Sequence, residues 1–326
     1  MTDDTTPPSD DPPDDAPQSE TSAFDSTDSE PLDPAAEGVD PPTHQADGPG
    51  DSPDESPETE VDSLREQLLS VGIVTGLGFG SFVIPTVVVL LPVLVIGLQF
   101  DLSIPESPLF LLSSNFLLFQ GLGMGGISAL YLWKTGRGTE YIDIRRPTLL
   151  ESAVVIVAPF VIIVLSVIVS QLSLTLGVEP SDHAIGGLGE IDPTLFLYLI
   201  PFMLLVVGPF EELLYRGVIQ GRLRESFGPL AAILLASLVF ALVHVPAYGL
   251  GGSGISSLAA ALSALFVGSL VFGGIYEWTE NLTVVALVHG LYNSILLALL
   301  YVATVYGPEL EEFAEQAEQA VVVVGL

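Results

Sequence analysis

Seven apolar runs, each about 20 residues or longer, follow one another from residue 70 to residue 305 with short connections between them. No feature of the sequence limits the fold more. A chain that places this much apolar backbone in lipid must satisfy every N–H and C=O internally, so the runs must be helices. The runs lie near 70–98, 108–133, 149–176, 194–215, 229–247, 255–276 and 282–305. The expected fold class is therefore all-α and polytopic, with about seven transmembrane helices. Mean hydropathy is +0.59, yet the net charge is −32, and one well-mixed domain rarely combines the two. The charge is concentrated at one end: residues 1–62 hold 20 Asp and Glu and no Lys or Arg. That acidic tail is expected to be disordered, because it lacks the apolar residues to bury a core. The expected organisation is a tail over 1–62, a transmembrane domain over 63–306 and an acidic C-terminal segment over 307–326. The tail has no basic n-region followed by an early apolar run, so no signal peptide is read there.

The charge balance and composition narrow the function classes. Lys134 is the single lysine, and the acidic excess resembles that of proteins from high-salt organisms. A lipid bilayer is the expected environment, and nucleic acid is not expected as a partner. There is no cysteine, which excludes disulfides, thiolate catalysis and Cys-ligated metal. All eight Lys and Arg fall before the first run (Arg65), between runs two and three (Lys134, Arg137, Arg145, Arg146) or at and after the end of run four (Arg216, Arg222, Arg224). The positive-inside bias then places the N-terminus and these loops in the cytoplasm of a multi-pass cell-membrane protein.

Polar residues inside apolar runs carry the functional signal, because a charge at membrane depth costs several kcal/mol (at least ~2.5–3.5). Glu211 and Glu212 stand side by side in run four, with Arg216 close behind; Phe240 and His244 lie in run five, His289 and Asn293 in run seven. Glu211 precedes Gly228 by 17 residues and His244 follows it by 16, so an antiparallel hairpin turning at Phe227-Gly228-Pro229 brings both to one depth. Glu212 and Arg216 are spaced i, i+4 in the favourable ion-pair order. Glu211 is turned away from that pair and is the freer carboxylate, suited to general-base work with His244 sharing its water. His289 and Asn293 share a helix face and suit an oxyanion hole. Tyr215, at i+4 from Glu211, is a further hydrogen-bond candidate. The same residues also permit a zinc reading, with Glu211, Glu212, His244 and His289 as the candidate ligands of a site like other catalytic Zn2+ centres. The residues alone leave both accounts open.

The ordered set Glu211-Glu212-x-x-x-Arg216, Phe240-x-x-x-His244 and His289-x-x-x-Asn293 resembles the CPBP family. These are CAAX prenyl endopeptidases and bacteriocin-processing or immunity proteases, also called the Abi family. The resemblance covers roughly residues 150–305. It implies an intramembrane endopeptidase in which Glu211 and His244 activate water while His289 and Asn293 form the oxyanion hole. The family is commonly described as metalloproteases, and a metal-free, glutamate-dependent mechanism is also proposed for it. The implied partner is a peptide or membrane-protein substrate, lipidated in the CAAX case. Other readings compete. Buried Glu and His also build proton relays in transporters, and a scaffold or immunity protein would bind without cutting. Gly251-Gly252-Ser253-Gly254 matches the G-x-S-G serine motif of rhomboid proteases, with His289 following it. His44 and His183 lie in hydrophilic segments and carry no signal in the sequence. Gly268, Gly273 and Gly274 in run six are expected to permit close helix approach.

Overall fold

The computed structural model describes residues 57–101, 105–249 and 254–324, with side chains described from 63 to 311. Most of the acidic tail, the segment 102–104 and the Gly-Gly-Ser stretch bearing Ser253 lie outside the described residues. Six helices are long and apolar enough to cross a membrane: α1 (Ser63–Phe100), α2 (Pro108–Thr135), α3 (Leu149–Thr175), α4 (Thr194–Ser226), α7 (Ile255–Thr279) and α8 (Leu282–Glu311). Between α4 and α7 run α5 (Pro229–Val243) and the short α6 (Val245–Gly249). There is no strand among the described residues. The protein is thus an all-α, multi-pass membrane protein. The fifth expected span is the one that differs. It is a 15-residue helix that ends at His244, followed by a five-residue helix. Pro246 is the cause: it has no N–H for the Leu242 carbonyl, and its ring crowds that turn. At the two ends of the chain the helices also run further than the sequence pattern implies. Helix begins at Pro57, inside the expected tail, and the last helix continues from Leu282 through Pro308 to Val324.

One end of the bundle gathers the basic residues and fixes how the helices meet. Arg137, just past α2, pairs with Glu225 at the end of α4 and lies over the Tyr141 ring at 4.5 Å. Arg145 grips Glu151 with both nitrogens and donates to the Thr279 carbonyl at the end of α7. Glu151 also completes a capping box with Thr148 that starts α3. Arg224 pairs with Glu277 of α7, and Ser70 of α1 bonds Ser226 of α4. Each pair is partly exposed and weak in energy, but together they fix which ends meet. The expected turn is also present: Phe227 is extended, Gly228 precedes α5 and Pro229 is its first residue.

Three apolar clusters fill the bundle. Leu214, Tyr215 and Ile219 of α4 pack with Ala236, Val239 and Phe240 of α5 and with Met124 of α2. Ile162, Phe272, Val285 and Val288 join α3, α7 and α8. Phe196, Leu199 and Val207 meet Leu297 across α4 and α8. Outward-facing Leu98, Val167 and Leu205 are more than half exposed, as lipid-facing side chains are when no bilayer is present.

Glycine sets the closest approach. A Cβ on Gly208 of α4 would stand 2.6 Å from the Ala286 carbonyl oxygen and 2.8 Å from the Gly290 nitrogen of α8. Backbone meets backbone there, one residue from His289 and three before Glu211. In run six, Gly268 and Gly273 do lie at contacts, against Ile162 and Ile233, whereas Gly274 faces open space. Gly208→Ala should therefore push α8 off α4, at an overpacking cost of about 1–3 kcal/mol. A thermal melt in detergent, run beside an assay of the site, should show both stability and activity lowered. Unchanged values in both would mean that the helices do not need this contact.

Candidate active site

α4 is not a uniform α-helix. Widened π-helical turns at Met203–Val207 and Leu213–Gln220 flank the stretch Gly208–Glu212. Pro209 supplies a reason, since it removes one N–H and crowds the preceding turn, and the helix relaxes by widening. π-Turns of this kind are frequent at functional sites. Between them, both carboxylates face His289 of α8.

Four buried polar side chains then form a continuous row. Arg216 is fully buried, and its Nε lies 2.9 Å from Glu212 Oε2. The contact is ionic and off the line of a hydrogen bond, since neither atom has a hydrogen-bond partner. Arg216 Nη2 donates to Ser269 Oγ of α7 at 3.1 Å, and the guanidinium carbon lies 5.6 and 5.8 Å from the Phe240 and Phe272 ring centres. Glu212, also fully buried, reaches His289 Nδ1 with Oε1 at 2.7 Å. His289 Nδ1 is therefore the donor, because an ionised carboxylate only accepts. The other ring nitrogen, Nε2, faces Glu211 Oε2 at 3.8 Å. That gap is too long for a hydrogen bond. Two carboxylates, one guanidinium and one imidazole thus share an apolar interior, each beside a polar neighbour, as buried ionisable groups require.

Phe240 joins the remaining residues to this row. Its ring meets Tyr215 edge-on at 4.9 Å, His244 at 4.5 Å and His289 at 6.1 Å between centroids. The Tyr215–Phe240 contact confirms the hairpin register expected from the distances to Gly228. Tyr215 itself departs from expectation: its hydroxyl is buried without a hydrogen-bond partner, so it meets the site through its ring and not through a bond to Glu211. His244 closes α5 and places Nδ1 2.7 Å from the Phe240 carbonyl oxygen. A carbonyl only accepts, so Nδ1 carries a proton, and a ring protonated at Nδ1 alone presents Nε2 as an acceptor. Asn293 is half-buried, one turn beyond His289 on α8. Phe272 stacks on the other side of the His289 ring at 4.7 Å. Glu211, Glu212, Arg216 and His289 are thus in a direct row, and Phe240 links it to His244. Among the described residues, no group of three or more His, Asp or Glu is arranged to hold a metal ion. The candidate ligands Glu211, Glu212, His244 and His289 do not form such a group.

Several contacts had no motif to announce them. Ser269 and Phe272 of α7 hold Arg216 and His289, yet in sequence they read as ordinary helix residues. Gln120 of α2 places Nε2 3.4 Å from Glu211 Oε1. Its only signal is that it is the one polar side chain between Phe116 and Ile127. His183, in the connection 176–193, meets the Tyr248 ring of α6 edge-on at 4.8 Å, and its Nδ1 accepts from the Ile185 N–H at 3.0 Å. Burial, and then the neighbouring His244, hold the His183 ring down to about 4 from its ordinary 6.5. Folding therefore disfavours the protonated ring, and a protonated Nδ1 can no longer accept from Ile185. The connection is at full stability above pH 6.5 and loses it as the pH falls toward 4. Amide exchange over 176–193 should rise through that window in the wild type and stay flat in His183→Phe. A flat wild-type profile would show that His183 does not hold the connection.

A model of the family described as type II CAAX prenyl endopeptidase Rce1-like matches residues 193–295. The match runs from the start of α4 into α8 and contains all three motifs. No curated protein and no solved structure matches the chain. The match supports the CPBP and CAAX protease resemblance, and with it an endopeptidase of the CAAX-protease kind in general.

Proposed function

We propose, from the Rce1-like domain over residues 193–295, that the protein is an intramembrane endopeptidase that uses water activated by Glu211. The observation that carries this reading is the buried row Arg216–Glu212–His289–Glu211. Arg216 neutralises Glu212, which holds the His289 ring in place. Glu211 has no guanidinium partner and is the carboxylate available to take a proton. In the proposed reaction, water is held between Glu211 and His244 Nε2. Glu211 removes one proton as the oxygen bonds to the scissile carbonyl carbon. The oxyanion that forms is stabilised by His289 Nε2–H and the Asn293 amide, as preorganised donors do in acyl transfer. The proton on Glu211 then passes to the amide nitrogen as the C–N bond breaks, leaving an acid and an amine. The aromatic wall of Phe240 and Phe272 keeps bulk water off these groups and strengthens each interaction.

The substrate class that goes with this domain is a peptide or membrane-protein C-terminus, with a prenylated CAAX sequence as the first candidate. The basic end of the bundle is assigned to the cytoplasm, which puts the N-terminus there in a cell-membrane protein. A catalytic Zn2+ would need Glu211, Glu212, His244 and His289 to reorganise, so no step is routed through one. Chelators are accordingly expected to leave turnover intact. The test compares protein termini in membranes from cells expressing wild type or Glu211→Ala at equal level. Termini present only with the wild type would establish cleavage and identify the substrate. Identical termini, with both proteins folded, would sink the protease reading in favour of proton transport or scaffolding.

A further inference from the structure

Glu211 has two carboxylate oxygens with different neighbours. Oε2 faces His289, while Oε1 faces the Gln120 amide nitrogen at 3.4 Å. Gln120 comes from α2, outside the residues 193–295 that carry the family match. Its placement is enforced by three features. α2 is π-helical over Leu117–Gly125. A Cβ on Gly123 would collide with the Ser81 carbonyl of α1, at 2.2 Å. A Cβ on Gly125 would stand 2.7 Å from the Phe210 ring, next to Glu211. The helix is therefore seated by two glycine contacts, and Gln120 is held at the depth of the carboxylate. The amide cannot be reversed while Glu211 is ionised, because carbonyl and carboxylate oxygens repel. The Gln120 carbonyl oxygen is then left over: it is buried and has no hydrogen-bond partner. A polar atom buried beside the reacting carboxylate is expected to be satisfied when the site is in use.

We infer that Gln120 is a positioning residue for Glu211, whose amide nitrogen fixes Oε1 and aims Oε2 at the water, and whose carbonyl oxygen receives an N–H of the bound peptide. The inference rests on the endopeptidase reading. It extends the site to α2 and gives the amide bond two points of recognition on opposite sides of the catalytic carboxylate.

The test uses the full chain in lipid nanodiscs and a fluorogenic peptide with a prenylated CAAX terminus. Gln120→Leu is expected to lower kcat/KM about 10- to 100-fold with the thermal midpoint unchanged, since a misaimed base costs rate and not fold. Gln120→Glu places a second acid beside Glu211, so the acid limb of its pH–rate profile should move to higher pH. A side chain at 120 that does not stand beside Glu211 would leave that limb in place. Infrared spectra give a readout independent of turnover. The carboxylate band that disappears in Glu211→Gln should shift in Gln120→Leu. An unshifted band, or an unmoved acid limb in Gln120→Glu, overturns the inference. If the wild type leaves the peptide uncut, the protease reading fails for that substrate, and the carboxylate band still decides the role of Gln120.

Discussion

Arg216→Met is expected to destabilise the protein by about 3–5 kcal/mol. The guanidinium is fully buried and lies 2.9 Å from Glu212. Removing it leaves two carboxylates facing one imidazole in an apolar interior. Methionine fills much of the volume between the Phe240 and Phe272 rings, so the loss reports charge and not a cavity. Denaturant titration in mixed micelles measures it. The double variant Arg216→Met with Glu212→Met should recover a good part of the loss, because it removes the stranded charge together with its partner. A single variant within about 1 kcal/mol of wild type would mean that the Arg216–Glu212 pair does not hold the fold.

Glu211→Gln is expected to reduce turnover by about 10²–10⁴-fold while the protein folds normally. Glutamine keeps the shape and can still bond to Gln120, but it cannot take a proton from water. Glu212→Gln makes the informative comparison. It weakens the hold on Arg216 and His289, so its first effect should be on stability, with a smaller effect on rate. Turnover of a prenylated peptide, measured beside unfolding midpoints, separates the two carboxylates. Equal loss of rate in both variants at equal stability would overturn the division between base and anchor.

Much of this was legible in the sequence. Apolar run length gave the six long helices, and the spacing of Glu211 and His244 about Gly228 gave the hairpin register. The spacing of Glu212 and Arg216 gave their ion pair, which persists even though the helix widens there. The features that could not be read are set by neighbours. Nothing in Gly208 or Gly290 distinguishes a backbone contact from a lipid-facing glycine until both helices are placed. Gln120 lies in a helix without a motif, and its partner is 91 residues away in sequence. His183 looked like a loop residue because its burial is supplied by Tyr248, across an intervening hairpin. Tyr215 is a hydrogen-bond candidate by its spacing from Glu211, yet its hydroxyl has no partner, because spacing reports adjacency and not the direction of a hydroxyl. The early stop of α5 was encoded in Pro246, but apolar content alone carried the run past it.

That early stop bears on how a hydrolase obtains its reagent within hydrocarbon. Fifteen residues of helix reach only about 22 Å, against about 30 Å for the bilayer interior. Beyond His244 the helical ladder is interrupted, and the Leu242 carbonyl loses its usual donor to Pro246. Interrupted backbone at such depth persists only where protein covers it or water reaches it. The residue at the break is one of the two proposed to hold the nucleophile. The proline that shortens α5 thus sets a break in the helix at the depth where the proposed hydrolysis takes place.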